Sequence, residues 1–340
     1  MYETIGEVEL KGGERVELGC VRGPDLDWAE RIESLLLHKG PLWNWQNTAV
    51  LRRDLGMDVN FYVLHRDGDP LANMMTVEHR GVGHFGHVWT RPEDRRKGAA
   101  SLIMDAQMAD FKRRAGQALF LGTGYKSAPY DIYASRGFAG LEAESGYMAY
   151  YERNGKSFYA DYYAPGAVEI RDLAWCDWPA SAALFLADFP GPVRCPSLGL
   201  LARSSTEGPF LNLLQEVEKC REDQEAERVR VLVCTQTGAV AGLALWCWEA
   251  QWPRTCQIDL YCHPQYWAEA GALLNSLVLP TAERYITYVD TLCTERCEAL
   301  AAAGFTRGAT LHQRVAVDHA RRQLVDVEVW ETRSANFGPH

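Results

Sequence analysis

The sequence predicts a mixed α/β (α+β) fold in two domains, each a mostly antiparallel sheet flanked by helices. The chain has 340 residues, which is more than a single domain usually contains. Runs of alternating apolar residues, typical of strands, are separated by runs with the period of a helix. The order of these runs in the first half recurs in weaker form in the second half. We therefore place the domains at residues 1–155 and 156–340, with a boundary segment near Arg153–Ala167.

The overall composition is that of a globular protein, with 47% apolar and 24% charged residues. A formal net charge of −10 argues against nucleic-acid or anionic-membrane binding, since such surfaces need clustered cations. No apolar run approaches the roughly 20 residues that span a bilayer, and the stretch "MYETIGEVEL" is too charged for a secretory signal. The ten cysteines lack the paired spacing of zinc sites, so we expect reduced thiols, no metal and a cytoplasmic location.

The first elements are a strand and a helix. "RVELGCV" (Arg15–Val21) alternates like a strand, and "DLDWAERIESLLLHKG" (Asp25–Gly40) has apolar residues at helical spacing, with a glycine to end the helix. The aromatic stretch that follows, Pro41–Gly56, fits neither period clearly.

Alternation then returns and predicts three antiparallel strands, Asn60–His65, Leu71–Glu78 and Gly83–Thr90. Between the first two lies "RDGDP", whose Asp-Gly pair supplies the left-handed residues that a tight hairpin turn requires. The first domain therefore contains an antiparallel meander.

A basic turn and a helix follow the third strand. Proline and two acids in "RPED" suit the end of a strand and the start of a helix. After Gly98 the pattern predicts a helix whose apolar stripe is Leu102, Ile103, Ala106 and Ala109, and which ends at a glycine cap, Gly116. A buried strand (Ala118–Thr123), a short helix (Asp131–Arg136) and a last strand in "GYMAYY" complete the domain.

The basic turn has the chemistry of an anion site. It follows a strand, it contains small residues that allow close backbone approach, and it opens a helix whose first N–H groups have no intrahelical partner. Its residues are Arg95, Arg96, Lys97, Gly98, Ala99 and Ala100. The alternative is an exposed turn with solvated cations. The turn is neither a Walker loop nor a dinucleotide fingerprint, because the additional glycines or the Gly-Lys-Ser/Thr of those motifs are absent.

Three motifs together resemble one known superfamily. "RRKGAA" fits Arg/Gln-x-x-Gly-x-Gly/Ala, "VWTRPEDRR" is similar to a strand that ends in Val-x-Pro-x-x-Arg, and "DIYASRGF" (Asp131–Phe138) contains a Tyr…Gly-Phe element. In these motifs, and in their order, the chain resembles the GNAT superfamily of acyl-CoA N-acyltransferases. The resemblance covers roughly Asn60–Tyr151 well and is weak in the second half.

The resemblance implies an N-acetyltransferase that uses acetyl-CoA as cosubstrate. By analogy with the family, the amides of Arg96–Ala100 and the Arg95 side chain hold the diphosphate, and the strand end lies along the pantetheine. Tyr133 matches the tyrosine that often protonates the departing thiolate, a role that suits a phenol with an ordinary pKa near 10. The residues implied in coenzyme binding are Val88, Trp89, Thr90, Arg95, Arg96, Lys97, Gly98, Ala99 and Ala100.

The resemblance leaves the general base open. Several family members use a carboxylate in the strand before the loop, and the comparable position here is His84. An imidazole is suited to this role because its ordinary pKa near 6.5 makes it a base at neutral pH. Glu78, His87 and a water relay are the alternatives, as is a structural role for His84.

The second half lacks the residues that matter most. Where the first half has its basic turn, the second has "HPQYWAEAGALL", in which Trp267 and Glu269 would obstruct or repel a diphosphate. Leu300 aligns with Tyr133. We therefore expect a degenerate GNAT-like copy that supports the first domain without catalysis. Its tryptophans Trp246, Trp248 and Trp252 are expected in the core or between the domains.

The acceptor implied by the family is a primary amine, either a small molecule or a peptide, and a cationic acceptor is compatible with the sequence. Trp43 and Trp45 precede the second predicted strand, in the segment that usually covers the acceptor site, or else pack between the domains. A non-catalytic acyl-CoA sensor and a scaffold protein are the alternatives to an enzyme. A monomer and a homodimer are both compatible with the sequence.

Overall fold

The computed structural model describes residues 1–333. The chain divides into two compact units, the first made of Met1–Gly140 and Gly146–Phe158 and the second of Leu141–Ser145 and the chain from Tyr159 onward. The division falls inside a helix, Gly155–Tyr162. None of the described helices is long and apolar enough to cross a bilayer.

The first unit is an eight-stranded sheet with helices on both faces. Its strands run in the order β1-β2-β3-β4-β5-β6-β8-β7, and every neighbouring pair is antiparallel except β5 and β6. The strands are β1 Tyr2–Glu9, β2 Arg15–Arg22, β3 Asp58–Arg66, β4 Asp69–His79, β5 Val82–Thr90, β6 Ala118–Gly122, β7 Ala139–Gly140 and β8 Tyr147–Tyr151. The helices are α1 Leu26–Leu36, α2 Pro41–Arg52, α3 Ala99–Arg113, α4 Ala128–Ala134 and, at the boundary between the units, α5 Gly155–Tyr162.

The predicted meander is confirmed as β3, β4 and β5. Asp67 (φ +48°) and Gly68 (φ +83°) form the turn between β3 and β4, both in the left-handed region that this turn requires. β1, which pairs with β2, was not predicted. Its apolar and polar residues alternate only weakly, because most of its side chains are exposed.

The unassigned aromatic stretch forms helix α2. Pro41 occupies its first turn, where its missing N–H costs nothing, and Gly40 before it adopts a φ of +95°. The buried face of α2 includes the amides Gln46 and Asn47, so no simple apolar stripe marks it.

Helices α2 and α3 pack on opposite faces of the sheet. Tyr62 and Met74 belong to the core that contains Ile103 and Phe111 of α3. The neighbouring Met75, whose side chain points the other way because strand side chains alternate, accepts a hydrogen bond from Gln46 of α2 at 3.7 Å. The sheet therefore separates an α3 face from an α2 face.

The predicted stripe and cap of α3 are wrong in part. Ala109 is exposed, and the buried stripe includes Gln107 and Asp110, polar residues that an apolar pattern leaves out. The left-handed residue after the helix is Ala115 (φ +58°) rather than Gly116. Gly116 is needed for space instead, because a Cβ there would lie 2.2 Å from the Phe111 ring.

The second unit contains a seven-stranded sheet of order β16-β17-β15-β14-β13-β12-β9, in which only β14 and β15 are parallel. Its strands are β9 Val168–Arg171, β10 Val193–Cys195, β11 Leu200–Leu201, β12 Val229–Cys234, β13 Val240–Trp248, β14 Thr255–Cys262, β15 Arg284–Val289, β16 Thr306–Ala316 and β17 Leu324–Thr332. Its helices are α6 Asp177–Leu186, α7 Glu207–Asp223, α8 Ala270–Asn275 and α9 Thr294–Ala302. The pair β10–β11 forms a separate small sheet.

The expectation that the tryptophans of the second unit pack in the core or between the domains is wrong in part. Trp248 and Trp252 are 51% and 61% exposed, so they are not packing residues. Only Trp246 is half-buried, and its indole N–H donates to the Val278 carbonyl at 2.9 Å.

One detail recurs in both units. Gly137 (φ +92°) and Gly304 (φ +86°) each precede a buried phenylalanine. The Phe138 N–H donates to the Tyr133 carbonyl, and the Phe305 N–H donates to the Leu300 carbonyl. Leu300 therefore occupies the place in its helix end that Tyr133 occupies in the first unit.

Candidate functional site

Strands β5 and β6 part after a short paired segment. Their parallel pairing covers Val82–His84 and Ala118–Phe120, whereas β5 continues to Thr90. The backbone of β5 from Phe85 onward therefore has no parallel neighbour in β6. Such a gap leaves peptide groups that can pair with an extended ligand, as in strand addition.

A bulge in β5 lies at this gap. The register with β4 shifts between Asn73 and Met75, which lie opposite Trp89 and Gly86. His87, inside the bulge, adopts a φ of +52°, a left-handed conformation that is uncommon for histidine. The Asn73 side-chain N–H donates to the His87 carbonyl at 3.0 Å and so supports the bulge.

The basic turn lies beyond the end of β5 and opens helix α3. Gly98 (φ +88°, ψ 0°) is the residue before the helix, and no side chain of the described residues caps it. The Leu102 N–H donates to the Gly98 carbonyl at 3.2 Å. The N–H groups of the preceding first turn have no intrahelical acceptor, so they and the helix dipole favour an anion here.

The three cations of the turn differ in their contacts. The Arg95 guanidinium lies 4.6 Å from the centre of the Trp89 ring, and its Nε donates to the Thr90 carbonyl at 3.2 Å. The Lys97 ammonium donates to Asp94 at 2.8 Å. Arg96 is exposed and makes no side-chain hydrogen bond or ion pair within residues 1–333. Arg96 is therefore the cation with a guanidinium available to a ligand.

A buried carboxylate holds the turn in place. Asp94 is 1% exposed and binds Arg66 at 2.7 Å as well as Lys97. Hydrogen bonds from Arg66, and then from Lys97, lower the pKa of Asp94 to about 2, so it stays ionised. The Lys11 N–H, from the turn between β1 and β2, donates to the Lys97 carbonyl at 2.9 Å.

Sequence reasoning missed these supports of the turn. Asp94 and Lys97 are three residues apart and could have been paired from their spacing. The contacts with Arg66 and Lys11 join distant parts of the chain and leave no local signal.

Tyr133 lies in the core beside the gap. Ser127 caps the start of its helix α4, because the Ser127 hydroxyl accepts from the Tyr130 N–H at 3.3 Å. The Tyr133 ring is 6% exposed and stands 5.1 Å from Phe85, edge to face. Phe85 is the first residue of β5 beyond the paired segment, so Tyr133 is placed next to the point where β5 and β6 part.

The structure separates the two predicted bases. His84 is 1% exposed and lies at the last paired position of β5, opposite Val77. Glu78, one residue along β4, points to the α3 face. Both of its carboxylate oxygens accept from Arg114 at 2.8 Å, and one also accepts from Thr76 at 2.6 Å. Glu78 is thus held in a bidentate ion pair.

His87 is a weak base. Burial, and then the nearby positive charges of Lys39 and His38, lower its pKa to about 3. The imidazole therefore stays neutral at physiological pH and takes up a proton less readily than an ordinary histidine.

In the second unit, a segment of the same unit bonds side chains at the corresponding strand ends. β14 and β15 pair only as far as Gln257 and Ile286. Beyond that point, the N–H and hydroxyl of Ser197 bond Asp259 of β14 at 2.8 and 2.5 Å, and the Val193 N–H bonds Asp290 after β15 at 2.9 Å. The segment thus donates hydrogen bonds to one aspartate side chain at each of the two strand ends.

No protein-family model matches the chain. No curated protein matches it either. Among solved structures it is similar to the ribosomal-protein-S5-alanine acetyltransferase of Vibrio fischeri, at 12% identity and a TM-score of 0.34, over 52% of this chain and 98% of that one. A ribosomal-protein-alanine N-acetyltransferase from Brucella melitensis matches at 17% identity and a TM-score of 0.33, over 49% of this chain and 99% of that one.

A third similar structure is a GNAT superfamily phosphinothricin acetyltransferase from Sinorhizobium meliloti, solved with acetyl-CoA. It matches at 14% identity and a TM-score of 0.36, over 49% of this chain and 88% of that one. Each of these acetyltransferases covers about half of the chain. Similarity at this level does not assign roles to individual residues. The chemistry of the site therefore depends on the geometry of the basic turn, of the gap between β5 and β6, and of Tyr133.

Proposed function

We propose that the chain is an N-acetyltransferase that transfers an acetyl group from acetyl-CoA to a primary amine by direct attack. The observation that carries the proposal is the juxtaposition in the first unit of an uncapped helix start, a left-handed glycine and a strand left without a neighbour. The first two suit a diphosphate, and the third suits the peptide-like pantetheine arm.

In this proposal the coenzyme is held mainly by backbone. The amides of Arg96, Lys97, Gly98, Ala99 and Ala100 bind the diphosphate, and the Arg96 side chain adds charge. Arg95 and Lys97 act as positioning residues, because the former is folded over Trp89 and the latter is bonded to Asp94. Val88, Trp89 and Thr90 offer the strand end to the pantetheine.

The proposed reaction needs two proton transfers. The amine nitrogen attacks the thioester carbonyl, a C–N bond forms, and the C–S bond breaks as the tetrahedral intermediate collapses. Tyr133 gives its proton to the departing thiolate, and His84 takes the proton that the amine loses. Glu78 is left out of this proposal because Arg114 occupies both of its oxygens.

For the second unit we propose a degenerate copy without catalysis. It has the same strand order around its parallel pair, but its gap is bonded by Val193 and Ser197, and Leu300 stands in place of Tyr133. Tyr266 and Trp267, 6% and 9% exposed, fill the turn that is basic in the first unit. We further propose a cytoplasmic monomer or homodimer.

One coenzyme should therefore bind per chain. Calorimetric titration of the whole protein with coenzyme A should give a single site, and the Arg96→Glu variant should lose most of the affinity because it reverses the available charge. Two equivalent sites, or a single site that Arg96→Glu leaves intact, would contradict the assignment to the first unit. If the protein binds coenzyme A but releases no free coenzyme A when it is mixed with acetyl-CoA and amines, the result would instead support a sensor.

Gly98→Val should weaken coenzyme A binding by about 10-fold or more, the scale of losing one or two charge-assisted hydrogen bonds. The reason is conformational. A Cβ at Gly98 meets only Lys11 atoms at 3.8 Å, but a φ of +88° is strained for valine, so the turn would shift its amides.

The control for Gly98→Val is Gly56→Val. Gly56 also has a positive φ, +69°, with nothing within 4 Å of an added Cβ, and it lies in the same unit away from the turn. Both variants introduce backbone strain, but only Gly98→Val displaces the amides of the basic turn. The comparison therefore separates these two effects. Equal coenzyme affinity in the two variants would rule out the cradle.

A further inference from the structure

A cluster of buried amide groups lies on the α2 face of the sheet, next to the β5 bulge. Gln46, Asn47 and Asn73 are each no more than 1% exposed, and His87 is 6% exposed. Within the described residues, Gln46 Oε1, both side-chain polar atoms of Asn47, Asn73 Oδ1 and His87 Nδ1 have no hydrogen-bond partner. A buried polar group without a hydrogen-bond partner is destabilising, so five together call for an explanation.

Contacts and helical spacing together place these groups on one face of the sheet, beside the β5 bulge. Trp43, Gln46 and Asn47 are three and four residues apart on α2 and therefore share one face. The Trp43 ring meets the His87 ring edge to face at 5.4 Å, and Gln46 reaches Met75. Asn73, two residues before Met75 on the same side of β4, holds the His87 carbonyl.

The cluster itself is uncharged, because its side chains are amides, an indole and a neutral imidazole. The charge that acts on His87 at physiological pH is the positive charge of Lys39. His38 is neutral there, since burial lowers its pKa. Glu78, the buried acid of β4, lies on the opposite face with Arg114. A second ammonium on a ligand would find no counter-charge here, whereas a carboxamide would find both donors and acceptors.

We propose that this amide cluster recognises the acceptor, and that the acceptor is an amine with a neutral carboxamide beside it, as in an α-amino amide or a peptide N-terminus. The inference rests on the proposed function. The bulge positions the cluster on the side of β5 away from α3, so an acceptor held there meets the thioester from the face opposite the coenzyme turn. Positive surroundings also favour the neutral amine, which is the form that attacks.

The test compares four small amines of similar size. They are glycinamide, propylamine, glycine and 1,3-diaminopropane, which carry a carboxamide, a methyl group, a carboxylate and a second ammonium. The kcat/KM of the wild-type protein, expressed per neutral amine because the four amines differ in basicity, should be higher for glycinamide by about 10-fold or more, the effect of one or two matched hydrogen bonds. In the Gln46→Met and Asn47→Leu variants, the ratio of kcat/KM for glycinamide to kcat/KM for propylamine should fall toward one.

The matched control is Gln107→Met. Gln107 on α3 is also fully buried, and both of its amide atoms lack partners within the described residues, but it lies on the other face of the sheet. The acceptor ratio should not change in this variant. A change equal to that in Gln46→Met would mean that loss of any buried amide loosens the domain, and would overturn the proposal.

Two further readouts separate this proposal from the proposed function. If coenzyme A binds and all four amines react equally, the acceptor assignment is wrong and the transferase remains. If coenzyme A does not bind, the transferase fails, and saturation-transfer NMR with glycinamide alone decides about the cluster. A glycinamide contact that is present in the wild-type protein and absent in Gln46→Met supports the proposal. The absence of such a contact in the wild-type protein overturns it.

Discussion

Tyr133→Phe should lower turnover by about 100-fold, the usual size of one general-acid contribution. The substitution removes the hydroxyl but keeps the ring, and the ring is what packs against Phe85 at 5.1 Å and fills the core. Coenzyme A affinity and thermal stability should therefore change little. The measurement is single-turnover acetyl transfer to the best amine, beside a calorimetric titration.

Tyr130→Phe is the control for Tyr133→Phe. Tyr130 lies one turn earlier on α4, is half-buried and stacks edge to face with Tyr125 at 5.6 Å. Loss of its hydroxyl should leave turnover near the wild-type level. Full activity in Tyr133→Phe would remove the general acid from the proposal and leave the coenzyme site standing. Inactivity of the parent protein with intact coenzyme binding would point to a sensor.

Local chemistry explains which parts of the fold the sequence could predict. The β3–β4 hairpin is encoded by alternation and by Asp67-Gly68, and the basic turn by six adjacent residues. Each of these signals lies within one short window. The buried stripe of α3 could not be read in the same way, because Gln107 and Asp110 are buried there and an apolar pattern passes over them.

The candidate site shows a similar division. Gly98 and Tyr133 belong to local motifs, so they could be named from the sequence. The partners of Glu78 and Asp94 could not, because Arg114 and Arg66 come from other elements. The amide cluster depends on α2, β4 and β5 together, and the aromatic stretch that forms α2 has no clear period. Long-range pairing therefore decides which polar residues do chemistry and which hold the fold.

Arg114→Met should destabilise the first unit by about 3–5 kcal/mol, the cost of leaving a buried charge without its partner. Glu78 is fully buried, and in this variant its carboxylate would keep only the Thr76 hydroxyl. Asp110 would lose one bond but would keep those from Tyr62 and Arg22. Denaturant unfolding followed by signals from the first unit measures the change.

The double variant Arg114→Met/Glu78→Gln completes this experiment. A neutral amide removes the stranded charge, so most of the lost stability should return, whereas Arg113→Met should cost at most about 1 kcal/mol because exposed ion pairs contribute little. Arg113 is suitable because its side chain is 63% exposed. Turnover then decides the role of Glu78. If the pair with Arg114 is structural, Glu78→Gln folds and retains acetyl transfer, whereas loss of transfer in a folded Glu78→Gln protein would make this carboxylate the base and displace His84.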